Sequence, residues 1–344
     1  MFSKMRFPVT LNHVELDDYL ARGWFRMRQS IFTTNFLHFN NHFFSVIWLR
    51  IALDDFTPCK KHRGLLKTNA RFRTEIKKAR LTPDHETLYQ LYRQSISFEV
   101  SATLNDLLLG IDALNRYDTY VANVYDGNIL IAAGFFDLGK TSAAGISCIY
   151  HPAYKKFSLG KYLIFLKIDF CKQQDLKYFY PGYFVPGYNA FDYKVEIGKE
   201  TLEWFQISTR EWLPFQCFTP ARNPLLCMVE KLSLLEEQLK LNGIIGTIVY
   251  YKFFDAGLDP GFCENSLFDF PVFLYCFSGR DHYNMVVFDV RDNKYHVLQC
   301  SSIIQLDYYP NMDNIFSSDL LKIDRNILTT PVANEVADVL PAYI

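Results

Sequence analysis

The chain has 344 residues, about twice the length of a typical single domain, which predicts two or three folded units. Hydrophobic residues make up 49% and charged residues 21%, a composition that excludes a disordered chain. The formal net charge of −1 excludes a uniformly basic nucleic-acid-binding protein but not a protein with one local basic face.

Targeting and metal-binding patterns are missing from the sequence. We find no run of about 18 apolar residues and no signal-peptide pattern, so we expect a cytoplasmic protein without a membrane partner. The eight cysteines are scattered without a Cys-x-x-Cys pair, which is typical of reduced, buried thiols. His38 and His42 would share one helical face, but no acidic residue or cysteine accompanies them, so we expect no metal.

The N-terminal part predicts helices, one buried strand and a strongly basic segment. Residues 13–30 indicate an amphipathic helix or turn, and the β-branched and aromatic run 43–53 indicates a buried strand. Between residues 60 and 80, nine Lys and Arg oppose the single acidic Glu75. This clustering predicts either a solvated helix face or a surface that neutralises nucleic-acid phosphates. Residues 84–96 predict another helix.

The central part predicts a sheet that encloses one apolar helix. Its elements, in order, are strands at 120–125 and 129–134 joined by an Asp126-Gly127 turn, a strand at 146–150, a helix at 159–173 and a strand at 178–184. Ser158 is expected to cap the helix. This is the order of an acetyltransferase-like (GNAT-type) sheet, in which the helix N-terminus opens beside two separated strands and can hold negative charge.

The C-terminal part predicts a helix at 224–242 and strands at 273–277, 285–289 and 295–299, which indicates a third, mixed unit. The fold class is therefore α+β, with an acetyltransferase-like mixed-sheet core between an N-terminal α/β region and a mixed C-terminal unit. We expect domains at 1–95, which contains the basic segment, at 96–214 and at 215–344.

Two local patterns bear on chemistry. Residues 134–141 match the phosphate-binding pattern GxxxxGK[ST], but two Phe and an Asp occupy positions where backbone amides should face phosphates, so we reject it. Asp137 is instead expected at a strand end. The segment 178–193 holds eight aromatic rings, five of them Tyr, which suits either a buried strand or a groove that stacks on a base and donates hydrogen bonds.

Several segments together resemble the arginyl-tRNA–protein transferases and their bacterial leucyl relatives. The run 150–161 (YHPAYKKFSLGK) is similar to the family's Tyr-Asp-Pro, spacer, Ser-Leu-Gly stretch, and 178–183 (YFYPGY) to its Tyr-Tyr-x-Gly-Tyr segment. Further matches are Phe191-Asp192-Tyr193-Lys194, Tyr19-Leu20 with Gly23-Trp24-Phe25-Arg26, and Leu130-Ile131-Ala132 with Asp137, so that the resemblance covers residues 13–213. This chain departs from the family by lacking its N-terminal cysteine cluster and by Ala190 in place of a lysine.

The resemblance implies transfer of an amino acid from charged tRNA to the N-terminal α-amine of proteins beginning with Asp or Glu, which marks them for degradation. Because the tRNA ester is already activated, orientation, charge stabilisation and removal of one proton suffice, and no cofactor is expected. The implied catalytic residues are Asp137, Tyr183 and Ser158. The implied substrate-binding residues are Leu159, Gly160, Tyr180, Gly182, Tyr193, Lys194 and Glu99. The expected tRNA contacts are Lys60, Lys61, Arg63, Lys67, Arg71 and Arg73, with Lys194 also near phosphates.

Three questions stay open at this point. Arginine is favoured over leucine as the donor amino acid, with Asp137, Glu99 and Asp192 as candidate carboxylates for a guanidinium. A coenzyme A-dependent N-acyltransferase on the same fold is a second hypothesis, although the loop 155–160 has only one Gly for close approach to a pyrophosphate. A non-catalytic module that binds tRNA or acidic N-termini is a third.

Overall fold

A computed structural model of the protein describes residues 1–112, 114–262, 266–278, 282–305 and 314–342. Within these ranges the helices are α1 (His13–Ala21), α2 (Lys60–Asn69), α3 (Pro83–Gln94), α4 (Leu104–Leu108), α5 (Leu159–Gln173), α6 (Tyr193–Glu196), α7 (Pro224–Leu241) and α8 (Ala333–Val339). None of the helices in this part of the chain is long and apolar enough to cross a membrane.

The strands of the described residues form four sheets, so the predicted α+β class is confirmed. They are β1 (Lys4–Arg6), β2 (Phe25–Met27), β3 (Ser30–Thr33), β4 (Phe36–Phe39), β5 (His42–Ser45), β6 (Ile47–Ala52), β7 (Arg73–Lys78), β8 (Thr119–Asp126), β9 (Ile129–Leu138), β10 (Ser142–Tyr150), β11 (Tyr178–Phe184), β12 (Leu202–Gln206), β13 (Glu211–Pro214), β14 (Thr247–Tyr251), β15 (Val272–Ser278), β16 (Tyr283–Asp289), β17 (Lys294–Gln305), β18 (Ile315–Phe316) and β19 (Asp319–Thr330).

The central sheet has eight strands in the order β13-β12-β6-β11-β10-β9-β8-β7. Its neighbouring strands are antiparallel, with the exception of β10 and β11, which are parallel and are connected through α5. The sheet takes β6 and β7 from the first 95 residues and the other strands from 119–214. The division of the chain into domains at residues 95 and 214 stays a prediction.

Helices cover both faces of this sheet, which explains why the inner strand β9 is buried at nearly every position, while the edge strand β7 is mostly exposed. Side chains alternate between the faces. Ala122 and Ala132 pack against Leu163 of α5, whereas Val121 and Phe135 pack on the opposite face with α3 and α4. The sequence prediction of a strongly apolar helix at 159–173 is confirmed, because α5 buries most of its length against the sheet.

Two local predictions are wrong. Ser158 precedes α5, but its side chain makes no capping hydrogen bond and its φ of +50° is left-handed, because the chain enters α5 directly from the 3-10 turn Pro152–Phe157. His38 and His42 do not share a helical face, because they lie on the antiparallel strands β4 and β5 of a hairpin.

The C-terminal sheet has the order β18-β14-β15-β16-β17-β19 and is covered by α7 and α8. The helix and the three strands predicted in this part of the sequence are confirmed within one to several residues of their ends. Phe2 and Phe36 are buried in the core of this sheet, where Phe2 contacts Phe270 with ring centroids 5.3 Å apart. The first residues of the chain therefore contribute to the same core as the last sheet.

Truncation of Leu163, which is fully buried between α5 and the sheet, is expected to destabilise the protein. Leu163→Ala should lower the free energy of unfolding by about 2–5 kcal/mol, because lost burial and a residual cavity both contribute. Urea denaturation measures the change. Leu241→Ala is the matched control, since Leu241 is 87% exposed and its loss should cost less than about 0.5 kcal/mol. Equal losses in both variants would contradict this packing.

Candidate active site

The central sheet opens between β10 and β11. These strands pair only at Ser142, Ala143 and Ala144 of β10, opposite Tyr178, Phe179 and Tyr180 of β11. Both strands continue past this point, to Tyr150 and Phe184 respectively, while remaining paired with their outer neighbours β9 and β6. The two strands therefore separate and leave a cleft between them.

Irregularities in both strands explain the separation. The pairing of β10 with β9 shifts between Gly145 and Ser147, and that of β11 with β6 shifts between Phe179 and Gly182. Such bulges bend a strand locally. Pro181 has no N–H for a ladder hydrogen bond, and Gly182 has a φ of +92° that favours glycine. The irregular residues follow directly after the last paired residues, so both strands bend where the cleft begins.

The cleft has a volume of about 210 Å³. This is below the ~300–1,000 Å³ of sites for drug-sized molecules, so it suits a single amino-acid side chain. Its walls come from β10, β11, α3, α5 and α6, and the lining residues are Tyr92, Gly145, Ile146, Ser147, Cys148, Ile164, Lys167, Phe179, Pro181, Tyr193 and Lys194.

The N-terminus of α5 lies beside the cleft. Tyr92, which lines the cleft, contacts Tyr150 with ring centroids 5.3 Å apart, and Tyr150 lies next to Gly160 in the first turn of α5. Ser158 is exposed and Leu159 is fully buried. Because no side chain caps α5, the N–H groups of its first turn are available for a negatively charged group.

Lys167 reaches the cleft from α5 and is 1% exposed. Its Nζ donates to the carbonyl oxygens of Phe135 at 2.9 Å and Ser147 at 3.0 Å, and to Cys148 Sγ at 3.3 Å. An ammonium has three N–H groups, so these contacts use all of them. Lys167 therefore brings a fixed cation to the cleft wall.

Lys194 lies on the opposite wall and is half-buried. Its Nζ donates to the Tyr183 carbonyl oxygen at 3.0 Å and lies 5.0 Å and 5.1 Å from the ring centroids of Tyr183 and Phe191. Burial lowers the pKa of Lys194 to about 8. A Cβ at Gly182 would be 3.1 Å from this Nζ, so Gly182 also makes room for the lysine. The predicted contact of Lys194 with tRNA phosphates does not fit a side chain in this position.

The predicted tyrosines point in different directions. Tyr193 lines the cleft, and Tyr183 adjoins it with its ring 5.1 Å from that of Trp48; burial raises the pKa of both tyrosines. Tyr180 is 2% exposed and packs instead on the other side of the strand, with its ring 5.4 Å from that of Trp212. The cleft thus brings together Tyr193, Lys194 and the backbone of Tyr183, but not the side chain of Tyr180.

Asp137 lies outside the cleft in a buried ion pair. Its Oδ1 accepts hydrogen bonds from Arg26 Nη1 at 2.8 Å and Thr119 Oγ1 at 2.6 Å. The residue Asp137 is 0% exposed. Burial raises the pKa of this carboxyl. Arg26 also donates to the Leu108 carbonyl, which ties β2 to the end of α4. The catalytic role of Asp137 stays a prediction, while the contacts describe a structural link.

All six residues predicted to bind tRNA are exposed. Lys60, Lys61, Arg63 and Lys67 lie on α2, Arg71 follows that helix, and Arg73 is on the edge strand β7. The side chain of Asn69, at the end of α2, donates to the Phe157 carbonyl oxygen at 3.0 Å, just before α5. Lys155 and Lys156 are exposed at the same place. We call α2 with these two lysines the basic surface, and it adjoins the start of α5.

Glu99 is exposed and is not among the residues that line the cleft. Asp289, Asp292 and His296 are close enough to share a metal ion, but they lie in the C-terminal sheet. Asp289 there accepts hydrogen bonds from Arg291 at 2.6–2.9 Å, and Asp292 accepts one from His296 at 3.0 Å, so ion pairs occupy these groups.

Comparison with known proteins shows what the chain is similar to. Residues 70–203, which contain both cleft strands and α5, match the family model described as the C terminus of arginine-tRNA-protein transferase. The predicted family resemblance is confirmed. An aspartate/glutamate leucyltransferase of Leptospira interrogans is 30% identical over 182 residues, which are 51% of this chain and 64% of that protein. The enzyme of the same name from Helicobacter hepaticus is 28% identical over 188 residues, 51% of this chain and 73% of its own length.

The chain thus spans somewhat less than two thirds of the length of the Leptospira relative. Among solved structures, the C-terminal domain of a putative lysylphosphatidylglycerol synthetase from Agrobacterium fabrum is 12% identical, with a TM-score of 0.33 over 45% of this chain and 51% of that chain. The L-PGS of Bacillus licheniformis is 13% identical, with a TM-score of 0.31 over 49% of each chain.

Sequence reasoning missed Lys167 and Cys148. The signal for Lys167 was its position in the apolar run 163–168, where it follows Leu163 by four residues and therefore shares the buried face of α5. A charged residue at a buried helical position indicates a specific partner. Cys148 carries no comparable signal, since half-buried cysteines are common.

The buried ion pair of Arg26 and Asp137 leads to a stability prediction. Arg26→Met should lower the free energy of unfolding by about 3–5 kcal/mol at neutral pH, because it leaves a buried carboxylate without its cation. Loss of the cation raises the pKa of Asp137 further above its unfolded value, so the folded variant binds a proton more tightly and regains stability as the pH falls.

Denaturant titrations between neutral and acidic pH measure this effect. The double variant Arg26→Met/Asp137→Asn is the control, because it has no carboxylate to protonate at this position and should show a smaller loss at neutral pH and no recovery of stability as the pH falls. A single variant that matches the double variant at every pH would show that Asp137 does not depend on Arg26.

Proposed function

We propose that the protein transfers an amino acid from charged tRNA to the N-terminal α-amine of acceptor proteins beginning with Asp or Glu, and so marks them for degradation in the cytoplasm. The observation that carries this proposal is a cleft of one side chain's size between two separated strands, beside the uncapped N-terminus of α5 and the basic surface. The family match over 70–203 and the names of the relatives support the reaction class.

The central sheet is proposed to be acetyltransferase-like. Three features support this: the antiparallel run β8-β9-β10, the parallel pairing of β10 with β11 through α5, and the early end of that pairing. In such an arrangement the donor ester lies between the separated strands. The first-turn N–H groups of α5 then face its carbonyl oxygen, where negative charge develops during attack.

The proposed reaction is a direct aminolysis. The acceptor's α-amine attacks the ester carbonyl, a C–N bond forms, the C–O bond to the tRNA 3′-oxygen breaks, and the amine loses one proton while the leaving oxygen gains one. Holding both reactants in the cleft replaces a bimolecular encounter with an oriented one. The basic surface would hold the acceptor stem by its phosphates, which places the 3′ end near α5.

The chemistry of the cleft favours an apolar donor side chain, such as that of leucine, over arginine. No carboxylate belongs to the lining residues, and two lysines do. Of the carboxylates considered for an arginine, Asp137 is paired with Arg26, while Glu99 and Asp192 are exposed outside the cleft. A guanidinium would lie near the Lys167 ammonium without a carboxylate partner, whereas Ile146, Ile164 and Phe179 offer apolar contact.

Donor choice is tested with purified protein, leucyl-tRNA or arginyl-tRNA, and peptides beginning with Asp, Glu or Ala. We expect label from leucyl-tRNA on the Asp and Glu peptides, at a rate at least about tenfold above that from arginyl-tRNA, since an unpaired buried charge costs more than 1.4 kcal/mol. A preference for arginyl-tRNA would contradict the proposed position of the donor.

Two other outcomes would select the alternative functions. Binding of tRNA with no transfer from either charged species would indicate a non-catalytic binding module. Thermal stabilisation by acetyl-coenzyme A without any tRNA binding would indicate an acyl-CoA-dependent enzyme, which the single Gly160 in the loop 155–160 argues against.

The basic surface is tested by a triple variant, Lys60→Ala/Lys61→Ala/Arg63→Ala. Loss of three phosphate contacts should weaken tRNA binding and reduce the slope of log K against log salt by about 2–3. Filter binding at several salt concentrations measures both. The control removes the same charge from the C-terminal part, as Lys240→Ala/Lys294→Ala/Lys322→Ala. Equal losses of tRNA affinity in the two triple variants would show that binding depends on the net charge of the protein and not on the position of α2.

A further inference from the structure

The attacking amine must lose a proton, and Asp137 does not lie in the cleft to receive it. The side chains that line the cleft include two amines, on Lys167 and Lys194, and they differ in hydrogen bonding. The Lys167 Nζ donates to two carbonyl oxygens and a thiol, which use all three N–H groups of an ammonium. Lys167 therefore has no N–H group left for a substrate.

Lys194 has the opposite arrangement. Among the described residues, its Nζ donates one hydrogen bond, to the Tyr183 carbonyl oxygen, and the faces of the Tyr183 and Phe191 rings lie beside it. A neutral amine keeps that hydrogen bond, because it still has two N–H groups, and it gains a lone pair. Since Lys194 lines the cleft, this lone pair has access to a bound substrate.

The surroundings of Lys194 favour the neutral form more than those of an ordinary lysine. The titratable groups that line the cleft with it are Cys148 on β10, Tyr193 on α6, Tyr92 on α3 and Lys167 on α5, and none of them is a carboxylate. Burial lowers the pKa of Lys194 to about 8, with a smaller opposing effect from Cys148. This is close to the pKa of about 7.7–8.0 of a protein α-amine, so a proton can pass between the two at little cost.

We propose that the neutral Lys194 amine accepts the proton that the acceptor's α-amine loses during attack on the ester. The inference rests on the proposed aminoacyl transfer. As the C–N bond forms, the proton moves to Nζ and gives an ammonium. As the C–O bond breaks, this ammonium returns the proton to the tRNA 3′-oxygen. Lys194 ends each cycle neutral, and the step requires no further reactant.

Two variants separate this role from a structural one. Lys194→Arg keeps a hydrogen-bond donor at this position but stays charged and has no lone pair to accept a proton, so single-turnover transfer should fall about 10²–10⁴-fold while tRNA binding is unchanged. Lys194→Ala should lose a similar factor and recover part of its rate with added trimethylamine. This tertiary amine accepts a proton but cannot itself be acylated. Recovery of the transfer rate by trimethylamine is a better criterion than the pH dependence of that rate, because the acceptor's α-amine titrates in the same pH range as Lys194.

Lys172→Ala is the matched control. Lys172 lies on the same helix as Lys167, and its Nζ donates to a backbone carbonyl, that of Phe56, at 2.7 Å, but it does not line the cleft. The transfer rate of Lys172→Ala should stay within about twofold of the wild-type rate and should not change when trimethylamine is added. Transfer in Lys194→Arg at a rate within about threefold of the wild type would overturn the inference and leave the proposed function intact.

A measurement on the unaltered protein covers the case in which these variants do not fold. Acetic anhydride labelling, followed residue by residue with mass spectrometry, reports the neutral fraction of each lysine. We expect Lys194 to reach half of its maximal reactivity near pH 8, well below the value of about 10.4 for an unperturbed lysine. An ordinary titration of Lys194 would overturn the inference. Absence of transfer in the wild type from any charged tRNA would instead remove the proposed function, and the inference with it.

Discussion

The early end of the pairing between β10 and β11 is the constraint on which the rest of the site depends. Parallel strands joined by a helix normally stay paired along their length. Here pairing stops after Ala144 and Tyr180, because each strand has an irregularity at the next residues and Pro181 cannot donate to a ladder. The sheet is nevertheless continuous, since β9 and β6 hold the outer edges of the two strands.

The separation has to be stabilised, because backbone groups that leave a sheet need new partners. Each strand supplies a carbonyl beyond the last paired residue to a lysine: Ser147 on β10 to Lys167, and Tyr183 on β11 to Lys194. The same two side chains place an amine on each wall of the cleft. The two lysines therefore stabilise the separated strands and also line the proposed active site. Of the two, only Lys194 can make a further hydrogen bond to a substrate.

The sequence predicted the elements better than the site. Period-two apolar runs and a long apolar helix identify β8 to β11 and α5, because these signals are local. The cleft depends on strand register and on bulges, which arise from long-range pairing that no local pattern records. Asp137 was implied by the family resemblance, but its partner Arg26 lies 111 residues earlier in the sequence. The preference for arginine, with Asp137, Glu99 and Asp192 as candidate carboxylates, likewise depended on spatial positions that the sequence does not show.

The most direct test of the central claim is whether the donor ester occupies the cleft. Cys148 lines the cleft and is half-buried, which makes its thiol a natural reporter. Iodoacetamide alkylation, read by peptide mass spectrometry, would be compared with and without a tRNA that carries leucine through a non-hydrolysable amide at its 3′ end. We expect the bound analogue to protect Cys148, while the half-buried Cys227 on α7 reacts as before. Unchanged alkylation of Cys148 under saturating analogue would contradict it.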